Sequence, residues 1–424
     1  MKIYFAGLSG KALSPLANLA LDAGHQVFGS DPLPTPETTE LEQRGVIFST
    51  DQSGNFLRKI HKKHQIDWMI HTSAIKVDHP EITTAQKLGI KISKRDQFIP
   101  QFITEHNFDL IAVAGTHGKT TTTTMLVWLF HQLDIPISYL VGSTLPFAPD
   151  GRYNPKSRYF VYECDEYDHN FLHYQPKYSL IPALDYDHVD TYPTRQDYQA
   201  AFRQFIEQSG QVWLWQSDIY DSINSLSNIT VLKETNSHID ILGEHNRRNG
   251  TLALELAKII FPKQTEAKLI EILNQTPLAG RRFEQIAPGL FSDYAHHPTE
   301  VQATLSMARE YADKHGFKQV VAIYEPLQNS RQHQIYKQYP TVFTGADKIY
   351  WVPTWQVRED PNLEILTPNF FAKLIPKKTQ ASEIDDTLLK NIQQELQAGN
   401  LVLFMAGGKG DEWMRKHANE FILP

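Results

Sequence analysis

The chain has 424 residues, 41% hydrophobic and 21% charged, a size and balance that predict two or three globular domains. A formal net charge of −7 argues against a nucleic-acid binder working through a basic face, but not against an anion held by a local loop. Cys164 is the one cysteine, so no intramolecular disulfide can form, and no apolar run reaches the roughly 18–20 residues that span a bilayer. The opening MKIYFAGLSG turns to glycine too early for the apolar region of a secretion signal, so the expectation is a cytoplasmic protein with no membrane or nucleic-acid partner.

In chain order, residues 2–6 read as a buried strand, and Gly7 and Gly10 as a turn. Leu13, Leu16, Leu19, Ala20 and Ala23 then recur at helical spacing, with Gly24 as the stop. QVFGSD is a second strand ending at Asp31, an acid about 20 residues past the glycines, as in dinucleotide-binding units, although Ser9 and Ala12 stand where glycine is usual. IDWMIHTSAI, HPEITTAQKLG and IKISKRDQFI continue this first block. A second block opens near Asn107 with FDLIAVAG, a near-continuous apolar run typical of a buried parallel strand. THGKTTTTTMLVWLFHQL follows as a loop opening a helix with Met125, Leu126, Leu129 and Phe130 inward. RYFVYECDEYD and YSLIPALDYDHVD are strands ending in acids or histidine, then come a helix (RQDYQAAFRQFIEQS), a strand (GQVWLW) and a loop into a helix (LGEHNRRNGTLALELAKII). The third block follows NQTPLAGRRFEQI: LFSDYAHHPTEVQATLSMAREYA, strand QVVAIYE, helix RQHQIYKQYPTVF, strand KIYWVP, and strand LVLFMAG leading to GKGDEWMRKH. Alternating strands and helices predict parallel sheets.

The segment IAVAGTHGKTTTTT carries the clearest chemistry. It departs from G-x-x-x-x-G-K-[ST], because Val113 takes the first glycine's place and Gly115 stands three before Gly118. The glycines still let backbone N–H groups approach phosphate at a helix N-terminus, Lys119 can reach the β- and γ-phosphates, and Thr120 can ligate Mg²⁺. Thr121 sits near the phosphates, whereas Thr122 to Thr124 read as packing; the bland alternative is that Gly-Lys-Thr is only a helix cap. Oxygen ligands for Mg²⁺ are on offer at Glu163, Asp165, Glu166 and Asp168, and at Asp185, Asp187, His188 and Asp190. Strand alternation would put Glu163 and Asp165 on one face and Cys164 and Glu166 on the other. The 18 histidines include no H-E-x-x-H pair, which argues against zinc. The amides of GEHNRRN can read an adenine edge, and RRFE can supply an arginine for phosphate.

GTHGKTTTT, ECDEYD, DHVDTY, GEHNRRN, AGRRFE and DYAHHPTEV, in this order, resemble the Mur ligases over nearly the whole chain, above all the branch that joins L-alanine or a murein tripeptide to UDP-N-acetylmuramate. The resemblance implies an α/β protein of three domains, each with a mainly parallel sheet: a Rossmann-like UDP-sugar-binding domain (1–106), a shortened P-loop ATP-binding domain (107–278) and a Rossmann-like domain for the amino acid or peptide (279–424). It implies ATP and Mg²⁺ as cofactors, UDP-N-acetylmuramate with L-alanine or the tripeptide as substrates, and a monomer or weak dimer. The lactyl carboxylate would take the γ-phosphoryl group, and the amine would attack the acyl phosphate. Lys119, Glu163 and His188 would be catalytic, with Thr120, Glu163 and His188 at the metal. ATP would be held by Gly115, Thr116, His117, Gly118, Lys119, Thr120 and Thr121, with His245, Asn246 and Asn249 on the adenine side and Arg282 and Asp293 at phosphate and ribose. Gly7, Ser9, Gly10, Asp31 and Ser73 would face the UDP-sugar; Tyr294, His296, His297 and Arg331 would face the junction and the acceptor.

There are departures. The first loop, Gly7 to Pro15, keeps two glycines of a pattern richer in them; Ala183 replaces an asparagine; and the stretch from Asp190 to Gly243 is short. In EPLQNSR, Gln328 stands where the alanine-adding pattern has its first arginine, and Arg331 keeps the second. EPLQNSR and DEYD lean to the tripeptide ligase, while NFLHYQP, TSAI and HHPTEV lean to the alanine-adding enzyme, which is the expectation adopted. Three rival readings stand beside it. A nicotinamide-dependent dehydrogenase leaves the Gly115–Thr120 loop unexplained, a folylpolyglutamate synthase needs no UDP domain, and the third is a non-catalytic sensor of the precursor.

Overall fold

The computed structural model describes residues 1–421 except 11, 73, 189, 190 and 358; Ser73 and Asp190, named above, therefore lie outside the described residues. Three sheets account for the architecture, as the sequence predicted. The first is wholly parallel, in the order β3-β2-β1-β4-β5, with β1 Lys2–Ala6, β2 Gln26–Ser30, β3 Ile47–Ser49, β4 Trp68–His71 and β5 Lys91–Lys94. Its central strand is apolar on both faces because both are covered: Ile3 and Phe5 pack with Leu16 and Phe98, while Tyr4 and Ala6 pack with Leu57 and Ile82. Gly7 leaves β1 at φ +87°, where a Cβ would stand 2.6 Å from Thr72 Cγ2, so only glycine turns the chain there into the helix Ser14–Asp22.

The second sheet has the order β12-β11-β10-β6-β9-β7-β8. Its strands are β6 Asp109–Val113, β7 Ser138–Leu140, β8 Gly151–Arg152, β9 Tyr159–Glu163, β10 Tyr178–Ile181, β11 Gln211–Trp215 and β12 Ile229–Leu232. All pairings are parallel except β7 with β8. Strand β6 lies between β9 and β10, so the loop leaving it opens where the strand order reverses, which is where open α/β sheets bind ligands. The helix Lys119–Gln132 is buried at ten positions, its threonines included, so tertiary packing offsets the weak helix propensity of the threonine run.

The third sheet runs β13-β14-β18-β15-β16-β17, from β13 Glu284–Ala287, β14 Leu290–Asp293, β15 Val320–Glu325, β16 Lys348–Trp351, β17 Thr379–Ala381 and β18 Leu401–Ala406; only β13 is antiparallel to its neighbour. The helix predicted across RQHQIYKQYPTVF is interrupted. It runs Asn329–Ile335, passes through a tight turn at Tyr336–Gln338 and resumes for Tyr339–Val342, because Pro340 has no N–H to continue the ladder.

By compactness the chain forms two units: residues 1–239 with 249–277, which hold the first two sheets, and 240–248 with 278–424, which hold the third. The helix Glu244–Ile260 gives its first residues to one unit and the rest to the other. Among the described residues no helix is long and apolar enough to cross a membrane.

Candidate active site

The loop after β6 is stitched to the segment after β10. Gly115 has φ +133°, and a Cβ on it would lie 2.7 Å from Ala183 O. Thr116 N–H donates to that same carbonyl (2.9 Å), and the Thr116 hydroxyl donates to Asp185 O (2.6 Å) while accepting from Asp185 N–H (2.8 Å). Tyr198 OH also meets the Thr116 hydroxyl, and His117 Nε2 stands 3.7 Å from the Asp185 carboxylate. Gly118 opens the helix Lys119–Gln132 at φ +81°, with Asn249 Oδ1 2.7 Å and Pro182 Cβ 2.9 Å from where its Cβ would be. No side chain caps that helix start, so its first turn presents backbone donors and the positive end of the dipole, the setting that binds phosphate. The missing glycine at Val113 is explained: Val113 is the last residue of β6, and the shortened loop turns at Gly115.

Lys119 and Thr120 face different acids. Thr120 Oγ1 donates to Glu163 Oε1 (2.9 Å), and Gly142 N–H donates to Glu163 Oε2 (3.0 Å). Lys119 Nζ donates to Glu166 Oε2 (2.7 Å) and to Gly115 O (2.6 Å), and His188 Nε2 lies 3.3 Å from Glu166 Oε1. The alternation expected for ECDEYD fails because β9 ends at Glu163; beyond it the chain bends, and Glu163 and Glu166 both turn to the loop. Glu166 was not among the predicted catalytic residues. The signal that would have found it is a loop lysine on one strand needing a counter-ion from the next. Burial disfavours the charge on all three groups, yet the carboxylate beside Lys119 keeps the lysine above its ordinary pKa, Lys119 holds Glu166 below the carboxylate range, and the bond to Glu166 together with Asp187 raises His188. His188 sits at φ +55°, with its carbonyl accepting from Thr191 and Tyr192 N–H (2.8 Å each).

The donor set fits a hard cation. The Thr120 and Glu163 oxygens lie 2.9 Å apart, close to the roughly 3 Å between adjacent corners of an octahedron with 2.0–2.1 Å bonds. Asp165, Glu166 and His188 bring one ligand atom each within 4.8 Å of one another, a second group able to approach a metal. Of the later threonines, Thr123 and Thr124 donate to Lys119 O (2.9 Å) and Thr120 O (2.8 Å), and Thr122 is wholly buried.

In the first sheet, Gly7 and Leu8 N–H groups donate to Ser30 O (2.8 and 3.0 Å), and Gly10 N–H to Gly7 O (3.2 Å). The Asp31 carboxylate accepts from Ser9 N–H (3.1 Å) and Leu33 N–H (3.2 Å), so it shapes the first loop from below.

In the second unit, His245 is half-buried, and desolvation of its ring together with Arg247 and Arg282 lowers its pKa to about 4, leaving a neutral imidazole at physiological pH. Asn246 Nδ2 donates to Leu242 O (2.9 Å). The Asp293 carboxylate, buried and raised in pKa by that burial, accepts from Phe283 and Ala295 N–H (2.8 Å each). It thereby fixes the turn that carries Arg281 and Phe283 at φ +57° and +50° with Arg282 between them. The Arg282 guanidinium stands 5.6 Å from the Tyr294 ring. His297 caps the helix Pro298–His315, and His296 O accepts from Tyr324 OH (3.0 Å). Arg331 lies on the helix Asn329–Ile335.

Three segments match models of a single family: the Mur ligase family, catalytic domain, over residues 2–107; the Mur ligase middle domain over 113–222; and the Mur ligase, glutamate ligase domain over 281–408. The chain belongs to the Mur ligase family. Among curated members, the UDP-N-acetylmuramate–L-alanine ligase of Clostridium kluyveri is 26% identical over 96% of this chain and 95% of its own length. The enzyme of that name from Desulforamulus reducens is 29% identical over 97% and 96%. The fold is that of the UDP-N-acetylmuramate–alanine ligase MurC of Thermotoga maritima (TM-score 0.77, 21% identity, 99% of both chains) and of a murein peptide ligase from Psychrobacter arcticus (TM-score 0.68, 23% identity, all of both chains).

Proposed function

We propose that this Mur ligase is an ATP-dependent ligase that joins L-alanine to the lactyl carboxylate of UDP-N-acetylmuramate, in the building of peptidoglycan precursors. The observation that carries the reading is the convergence of Lys119, Thr120, Glu163, Glu166 and His188 on one loop at the reversal of strand order. The family membership and the alanine-ligase names of relatives spanning nearly the whole chain support it.

The division of labour we propose is residues 1–106 for the UDP-sugar, 107–278 for ATP and 279–424 for the acceptor. The first-turn N–H groups and Lys119 bind the phosphates. Thr120 and Glu163, with His188, would hold Mg²⁺, which supplies neutralisation of phosphate charge. Glu166 holds Lys119 at the loop, and Asn249 packs against Gly118. The carboxylate takes the γ-phosphoryl group with release of ADP; the amine then displaces phosphate from the acyl phosphate, forming the amide. Most of the protein's contribution is positioning and charge neutralisation.

A second reading, ligation of the tripeptide L-alanyl-γ-D-glutamyl-meso-diaminopimelate, is favoured by one observation, the E-P-x-x-N-S stretch from Glu325 to Ser330. ADP release with ATP, Mg²⁺, UDP-N-acetylmuramate and each of L-alanine, L-serine, glycine or the tripeptide separates the two. L-Alanine is expected to give the largest kcat/KM; a clear preference for the tripeptide would replace the first reading with the second.

A further inference from the structure

A segment of the second unit has no part in the roles assigned so far. Residues 355–357 and 359–366 follow β16 and are bonded to the loop between β15 and the helix Asn329–Ile335; Arg358 lies outside the described residues. Trp355 N–H donates to Pro326 O (2.8 Å), and Gln328 N–H returns to Trp355 O (2.9 Å). The side chain of Gln328, whose backbone is held at φ +62°, donates through Nε2 to Val357 O (3.2 Å). The Glu359 carboxylate accepts from Asn329 N–H (2.7 Å), Ser330 N–H (3.0 Å) and Val357 N–H (3.3 Å). Asn329 is held on both ends of its amide, by Glu364 O (2.9 Å) and Leu366 N–H (2.9 Å). At the next strand end, Trp355 side-chain atoms stand 2.2–2.6 Å from where a Gly408 Cβ would be. Gly408 and Gly410 N–H groups are tied to the buried Glu325 carboxylate at 2.9 and 3.2 Å.

These bonds commit two groups of the EPLQNSR stretch, which the resemblance puts on the acceptor side. Gln328, at the position where the alanine-adding pattern has an arginine, is spent on Val357 rather than turned to a ligand. Glu325, the acid of the E-P-x-x-N-S stretch, is spent on the Gly408–Gly410 backbone. On the ligase reading, which puts the acceptor beside the EPLQNSR loop that follows β15, a peptide extending past its first residue would lay further carbonyls along the carboxyl ends of β15 and its neighbour β18. There the N–H groups of Gln328, Asn329 and Ser330 are already taken and Trp355 covers Gly408. Leaving peptide carbonyls unpaired while displacing charge-assisted bonds is costly, and that cost rejects the longer acceptor rather than rewarding the shorter one.

We propose that the strap formed by residues 355–357 and 359–366 sets acceptor length: it closes the carboxyl ends of β15 and β18 so that the site takes one free amino acid and turns away a peptide. The inference rests on the ligase reading above. Its test compares kcat/KM for L-alanine and for the tripeptide, by ADP release, in the wild-type chain and in Trp355→Gly and Gln328→Ala, with the KM for ATP read alongside. The wild type should prefer L-alanine. Each variant should move the ratio toward the tripeptide, Trp355→Gly by about tenfold, with the KM for ATP unchanged. Gln328→Ala removes only the bond to Val357 and covers the case in which the glycine variant fails to fold. A ratio unmoved in the folded variants while alanine turnover persists would overturn the inference, as would a wild type that prefers the tripeptide. A wild type that releases no ADP with any amine would end the ligase reading itself and this inference with it.

Discussion

Lys119 and Glu166 show how much one buried pair asks of its surroundings. The Lys119 side chain is 15% exposed and Glu166 is fully buried, so each charge is tolerable only with the other in place. Lys119→Met should therefore do two things: abolish ADP formation, and destabilise the folded chain by about 3–5 kcal/mol, because Glu166 is left charged and buried. Lys119→Met with Glu166→Gln should recover most of that stability in urea titration while remaining inactive. If the double variant is no more stable than the single one, the pair is not what holds Glu166 in place. A second buried acid lies under the first loop. Glu81 accepts from Ser30 Oγ (2.6 Å) and from Tyr4 OH, and its Oε2 has no hydrogen-bond partner. Burial raises its pKa against those two bonds, with Asp51 and Asp31 adding to the rise and His79 3.9 Å away. An acid whose folded pKa is raised contributes stability that is full below the ordinary carboxylate pKa and is lost as pH rises through the raised value. Glu81→Gln should remove that loss, so melting temperatures followed from acidic to neutral pH should fall less in the variant than in the wild type; parallel curves would refute this.

At the scale of elements, the site depends on where strands stop. β6 ends at Val113 and β9 at Glu163, so the loop and the acids meet at one edge rather than along the strands. Gly118 makes the turn at φ +81° with Asn249 and Pro182 against its α-carbon. Gly118→Ala should cost about 1–2 kcal/mol from the left-handed backbone alone, more from the contacts, and should remove nucleotide binding. Gly24 offers the control: it has φ +77° with nothing within 4 Å, so Gly24→Ala should carry only the backbone cost and leave nucleotide affinity intact in calorimetry. Equal nucleotide affinities in the two variants would contradict the loop's assigned role.

At the scale of the molecule, binding to the native state alone must raise stability by mass action. With Mg²⁺, ADP at about a hundred times its Kd should add about 2.7 kcal/mol, seen as a rise in melting temperature. That rise should vanish in Gly118→Ala and persist in Gly24→Ala; a wild type that does not respond to nucleotide at any concentration would speak against the ATP site.

The sequence by itself determined the three mainly parallel sheets, because strands buried on both faces read as continuous apolar runs and their helices as 3.6-residue periodicity. It also determined the loop from Gly115 to Thr120 that opens a helix, because glycine, lysine and threonine at fixed spacing satisfy a requirement that is local to one turn. Only the tertiary structure decided which acids serve that loop. Glu163 and Glu166 are three residues apart, and their faces depend on a strand end that periodicity does not mark. It alone placed Asp31 and Asp293 as supports of their own turns, and it alone tied Gln328 to Val357 across 29 residues. Those partners are set by chain crossings, and a bond between residues distant in sequence leaves no period or spacing to read.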